Sequence, residues 1–283
     1  MLSRMVLARP LATRLYTPIV QQFSTKPTDG KDATPEGEEK KQGWISRILS
    51  TPDGVDNKQS HSSMLADTEV IYEFQTHDVK GGERDAYLQK YRNYAKEVNA
   101  AVPGNELVGS WNVLFGNQDQ SIHLWRYAGG YGDVDRYIDS ILHNNSVRAA
   151  EKEVNELVRR RRSVLVRSFS YWGEPKPREP NHIYDLRSYV LKPGSMIEWG
   201  NAWAKGISYR KEHNQNVAGF FTQVGQLYMV FHIWAYADMA ARQHIRQDTW
   251  SKPGWDNTVA YTVPLIKKMK SKILIPNEFS TLR

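Results

Sequence analysis

Cysteine is absent from the 283 residues. No disulfide framework and no thiolate metal site can therefore be built. No run of 18 apolar residues is present either, which excludes a helical membrane span of ordinary length. The chain contains no Gly-x-x-x-x-Gly-Lys loop, no Gly-x-Gly-x-x-Gly turn, no His-Glu-x-x-His pair and no Gly-x-Ser-x-Gly elbow. The common phosphate-loop, dinucleotide, zinc-protease and serine-hydrolase signatures are thus excluded. Acid is scarce at the amino end, where nothing acidic precedes Asp29 while Arg4, Arg9, Arg14 and Lys26 do.

That composition, rich in Ser, Thr and short apolar residues, reads as a mitochondrial transit peptide over residues 1–25. With Met1, Leu2, Val6 and Leu15 on one side of an induced helix, Arg4, Arg9 and Arg14 answer an inward-negative potential. Processing is expected near Arg14-Leu15-Tyr16-Thr17 or at Phe23-Ser24. Removing residues 1–25 takes away three arginines and no acid, so the formal charge falls from +7 to +4. Much of the basic excess is then address, and with no base-reading or stacking motif beside it nucleic acid is not an expected partner. Residues 26–67 read as a disordered polar linker, too poor in apolar residues to offset its ordering entropy. Its one apolar island is Trp44, Ile45, Ile48 and Leu49, which share one helical face. Such an island either docks on the protein's own surface or serves as a short peptide for a partner groove, with Trp44 as anchor. Arg47 stands where the aromatic-x-x-aliphatic motif read by autophagy modifiers wants an aliphatic residue.

What the chain has in quantity is aromatic side chains: nine Trp, fifteen Tyr and eight Phe. Their placement repeats. Val108 and Val217, Gly116 and Gly225, His123 and His232, Trp125 and Trp234, Tyr127 and Tyr236, and Leu165 and Leu274 are all separated by 109 residues. Upstream, Ile71-Tyr72-Glu73 matches Ile183-Tyr184-Asp185 at a separation of 112, so the first copy has three extra residues in a loop. Two copies of about 100 residues predict a duplicated domain, here bounded at 68–175 and 182–278, and not a solenoid.

Each copy opens on a β-rich run closed by Gly81-Gly82 or Pro193-Gly194. In the first, Tyr87, Leu88, Tyr91, Tyr94, Ala95 and Val98 mark a helix face that stops at Pro103-Gly104. Strands over Leu107–Phe115 and Ser121–Tyr127 flank a turn at Gly116-Asn117-Gln118-Asp119. A second helix starts near Asp133, buries Val134, Tyr137, Ile138, Ile141 and Leu142, breaks at Asn144-Asn145 and resumes to Arg162. A strand over Val164–Tyr171 ends the unit. The order β-α-β-β-α-β predicts the α+β, ferredoxin-like split unit: an antiparallel sheet with both helices on one face. The bare face requires cover, either from the other copy or from a second subunit as a homo-oligomer, giving an α+β barrel.

Alternation places His123, Trp125 and Tyr127, and likewise His232, Trp234 and Tyr236, on one face of the third strands. These are the candidate ligand-binding residues. Packed core residues with hydrogen-bond partners are the competing reading, because imidazole alone gives no metal-ligand spacing. Glu73 and Asp185 correspond as well, although sequence cannot bring them together as an acid and base. The cationic runs Arg159–Arg162 and Lys267, Lys268, Lys270 and Lys272 are placed at helix ends, where they complement the helix dipole.

Three longer strings carry a resemblance: His123-Leu124-Trp125-Arg126-Tyr127-Ala128-Gly129-Gly130-Tyr131, Met196-Ile197-Glu198-Trp199-Gly200-Asn201, and Gly254-Trp255-Asp256-Asn257 with Tyr261-Thr262-Val263-Pro264. Over about Trp44 to Pro276 the chain resembles the NipSnap family of mitochondrial proteins. The resemblance implies tandem domains of the dimeric α+β barrel type and import into the matrix. It also implies a non-enzymatic role as a damage signal: on import failure such proteins stay on the outer surface and recruit autophagy cargo receptors and ubiquitin-like autophagy modifiers. It supplies no catalytic residue and no cofactor or metal. The alternative is an enzyme or a small-ligand, haem-like binder using the barrel interior, by analogy with other α+β barrels.

Overall fold

The computed structural model describes residues 64–283. The transit segment and the Trp44 island lie outside the described residues. Along the chain run β1 (Ile71–Val79), α1 (Arg84–Ala101), β2 (Asn105–Phe115), β3 (Gln120–Tyr127), α2 (Tyr131–His143), α3 (Asn145–Asn155) and β4 (Val158–Ser168). The second copy supplies β5 (Ile183–Leu191), α4 (Met196–Gly206), a 3-10 turn (Ile207–Arg210), β6 (Asn216–Val224), β7 (Met229–Tyr236), α5 (Met239–Ser251), α6 (Trp255–Thr262) and β8 (Ile266–Pro276).

Each copy forms an antiparallel sheet in the ferredoxin-like order, β4-β1-β3-β2 and β8-β5-β7-β6. The two sheets then join edge to edge. Strand β2 pairs with β8, and β4 pairs with β6, so eight strands close one barrel within a single chain. Alternation decides what fills it. Tyr72, Phe74, Ile122, Leu124, Leu186, Phe220, Phe231 and Ile233 point inward as one buried cluster. Phe74 meets Phe231 with ring centroids 4.7 Å apart, and Tyr72 meets Phe220 at 4.9 Å, contacts that run between strands not paired with each other.

The outward faces are covered by helices. In the first copy Tyr87, Tyr91, Tyr94, Ala95 and Val98 of α1 are buried on β1 and β3, as their spacing predicts. The helix break is also where the sequence puts it: the Asn144 side chain accepts from the backbone N–H of Ser146 and of Val147, capping α3. Ile138 and Leu142 correct the predicted buried face, since both are exposed. Leu65 and Ala66, which the sequence assigns to the linker, are buried against the second copy, and Leu65 accepts a bond from the Ser170 backbone.

The cationic runs do not end helices. Arg159–Arg162 lie on β4 and Lys267–Lys272 on β8, in halves of those strands that pair on one side only. Strand β4 meets β6 from Leu165 onward, and β8 meets β2 from Ile273 onward. Charge on such a free edge opposes pairing with another chain. The helix reading failed because this half of the strand has no buried face, and therefore no apolar alternation to read.

The 109-residue spacing holds through β3 and β7 but not at the last strands. Tyr72 pairs with Val166, and its counterpart Tyr184 pairs with Leu274. Val166, not Leu165, is thus the equivalent of Leu274, and the separation there is 108. A one-residue slip would have turned every side chain of β8 to the wrong face, so the burial pattern fixes the register.

Candidate functional site

The six residues His123, Trp125, Tyr127, His232, Trp234 and Tyr236 lie on the helix-facing side of β3 and β7, outside the barrel interior. These side chains therefore point away from the barrel interior and do not line it. Equivalent in position, the two triads differ in what they touch.

In the first copy every polar group of the triad is met. His123 Nδ1 bonds Ser110 Oγ at 2.9 Å and its Nε2 bonds Tyr87 Oη at 2.8 Å, while the ring stacks on Tyr91 at 3.5 Å. His77 Nδ1 reaches the same Tyr87 hydroxyl at 2.7 Å. Trp125 Nε1 donates to Tyr91 Oη, which donates to Gln75 Oε1. Gln75 Nε2 and the Tyr127 hydroxyl both donate to Glu73 Oε2, and Ser163 Oγ donates to Glu73 Oε1. Burial pushes His123 well below the ordinary histidine range, with His77 adding to the effect. His77 itself is lowered to about 4, first by burial and then by Arg161. Each of these rings and the Glu73 carboxyl is thus engaged by neighbouring side chains, in a network that ties α1 to the sheet.

The second copy replaces this network with indole and guanidinium. At the same 112-residue separation Tyr87 becomes Trp199, Tyr91 becomes Trp203, His77 becomes Tyr189, Gln75 becomes Arg187 and Val98 becomes Arg210. Gly219 stands where Ser110 stood, and Trp172 fills the room: a Cβ on Gly219 would lie 2.2 Å from the Trp172 ring. His232 consequently has no partner at either nitrogen. Its ring is caged by Trp172 at 4.4 Å, Trp203 at 4.7 Å and Tyr189 at 5.3 Å. Burial, then Arg187 and Arg210, hold it well below its usual pKa, so it stays neutral.

Arg210 is 4% exposed. Its Nη2 donates to Tyr236 Oη at 3.0 Å and its guanidinium lies 4.2 Å from the Trp234 ring centroid. Asp185, fully buried, is held by Arg242 at 2.8 Å and by Ser271 Oγ at 2.6 Å, with Arg187 at 3.9 Å. Between this sheet and helices α4 to α6 a cavity of about 160 Å³ opens, lined by Arg187, Arg210, Arg246, Trp203, Trp234 and Trp255 among others. Elsewhere Glu212, His213 and Asp248 converge at the surface, where Lys252 approaches both carboxylates at 2.5 and 3.5 Å and answers their charge.

The NIPSNAP family model matches the chain twice, over residues 72–171 and 184–281. The chain belongs to the NipSnap family. A relative from Caenorhabditis elegans bearing the NipSnap name is 54% identical over 92% of this chain, which spans half of that protein's length. The zebrafish NipSnap homolog 1 is 44% identical, over 86% of this chain and 88% of its own. Among solved structures, a monooxygenase candidate from Lactobacillus acidophilus aligns with a TM-score of 0.56 at 13% identity, over 73% of this chain and 93% of the other. At that identity the likeness shows the dimeric α+β barrel fold alone.

Sequence reasoning on this NipSnap chain found the triads and missed Arg187, Arg210 and Arg246. A signal for the first two was available. The internal repeat sets each against a neutral residue, Gln75 and Val98, at positions the periodicity buries, and a cation entering a buried position needs a reason.

Proposed function

We propose that this NipSnap chain is a mitochondrial, non-enzymatic adaptor that reports import failure. Its address is the arginine-bearing amino end, with Arg4, Arg9 and Arg14. Imported and processed, it resides in the matrix; left outside, it exposes its folded barrel to autophagy cargo receptors and ubiquitin-like autophagy modifiers. The observation that carries this reading is the filled barrel: aromatic side chains meet across its interior, and the first copy's titratable groups are consumed in their own network. Family membership agrees with it. What the fold offers a partner is outer surface, including the exposed Tyr131, Ile138 and Leu142 that fall on one side of α2.

Replacing Arg4, Arg9 and Arg14 together with Gln tests the reading. The variant should remain unprocessed outside the matrix and be captured there by autophagy receptors without depolarisation. Unchanged import, or retention at the surface without capture, would overturn it.

A further inference from the structure

We propose that the cavity beside β5 and β7 in the second copy is a binding site for a small organic carboxylate with an apolar body. Three observations converge on that ligand, and none depends on the adaptor role.

The first is a surplus of positive charge around one small space. Arg187, Arg210 and Arg246 line the cavity, while the one buried carboxylate nearby, Asp185, is bound by Arg242 and Ser271 with Arg187 at 3.9 Å, which leaves Arg210 and Arg246 with no carboxylate partner among the described residues. Burial together with Arg187, Arg242 and Arg210 lowers the pKa of Arg246, the sign expected where cations crowd without an anion.

The second is the direction of the unmet hydrogen bonds. Arg210, Trp234 and Trp255 line this cavity, and Arg210 Nε, Trp234 Nε1 and Trp255 Nε1, buried behind its wall, have no acceptor among the described residues. All three groups are donors only. Water could answer one of them, but a wall of donors and guanidinium forks fits an oxyanion, which arginine grips through paired bonds.

The third is the shape of the rest. Trp203, Trp234 and Trp255 form the inner wall and Val259 and Ile266 continue it, with exposed Trp250 and Met269 at the mouth. A space of about 160 Å³ is close to that of an engineered apolar cavity, about 150 Å³, known to hold benzene. An anionic head against the arginines and a ring-sized or branched apolar body against the indoles would satisfy both halves. The first copy provides the internal comparison: there Gln75 and Val98 replace the two arginines, Tyr91 replaces Trp203, and the tyrosine hydroxyls close the space with their own bonds.

Benzoate is the probe, titrated into the full chain with indole fluorescence as readout, since four tryptophans line the site. Saturable quenching and a raised melting temperature are expected, and inorganic phosphate should give neither at equal concentration. Arg210→Met should weaken benzoate binding about tenfold or more, as truncating a buried charged partner does. Arg246→Met, at a half-buried position least needed for folding, should weaken it as well while leaving the unliganded melting temperature near that of the parent. Lack of saturable quenching, phosphate binding as tightly as benzoate, or an Arg246→Met variant that melts and binds as the parent does would each overturn the assignment.

Discussion

His123 and His232 occupy equivalent positions, are both fully buried, and differ in that one is bonded at both nitrogens and the other at neither. A single substitution made at each position should therefore give opposite results. His123→Leu removes one partner from the Ser110 hydroxyl, which keeps Asn277 Nδ2, and one from Tyr87, which keeps His77, and should cost about 1–3 kcal/mol. His232→Leu removes two orphaned polar atoms from an aromatic cage at nearly constant volume, and should change stability by less than about 1 kcal/mol or raise it. Urea unfolding of the two variants measures both. Histidine also sets the acid limit of the fold. His77 titrates near 4 when folded against 6.5 ordinarily, so between those values the unfolded chain binds more protons. Stability should be level above about pH 6.5 and fall as the pH drops towards about 4, with His77 contributing about 3 kcal/mol of the loss. His123 and His232 are shifted in the same direction and steepen it. A His77→Gln variant with an unchanged slope of unfolding free energy against pH would contradict this account.

At the scale of elements, β6 and β2 show how one backbone position decides what lies above it. Ser110 in β2 supports His123, whereas Gly219 in β6 leaves the space that Trp172 occupies over His232. Gly219→Ser copies the first repeat's residue into the second. It should not rescue His232, because its Cβ meets the Trp172 ring at 2.2 Å, and a loss of about 1–3 kcal/mol in thermal or urea unfolding is expected. Much of the element order was legible in the sequence, since the α1 face, the β2–β3 hairpin and the break at Asn144 all leave period or cap signals. The α3–β4 junction was not, because Arg159–Arg162 face solvent and impose neither a 3.6 nor a 2.0 period. Ile138 and Leu142 misled for the converse reason: helical spacing marks a face, not which surface covers it. The arginine-lined cavity needed tertiary structure, because Arg187, Arg210 and Arg246 come from three separate elements.

For the whole molecule, closure is what buries the interior. Each sheet's inner face is covered by the other sheet, and the seams β2–β8 and β4–β6 are short compared with the pairings inside each copy. Residues 64–175 or 176–283 expressed alone would present a face of Tyr, Phe and Ile to water. Each half should self-associate or aggregate on size-exclusion chromatography, and the two co-expressed should elute as one species of full-length size. Halves that stay monomeric, with native near-ultraviolet circular dichroism, would show that the seam is dispensable.

Covalent closure also changes what sort of asymmetry the barrel can hold. Two identical chains closing a barrel about a dyad carry each substitution twice, so a Gln75→Arg exchange would appear on both sides, and any ligand would find paired sites able to communicate. Here one polypeptide holds both halves, and arginine stands at 187 while glutamine stays at 75. A ligand that binds the second half should accordingly saturate at one equivalent per chain with a Hill coefficient of one, and the hydrogen-bonded first half serves as that site's inert, built-in reference.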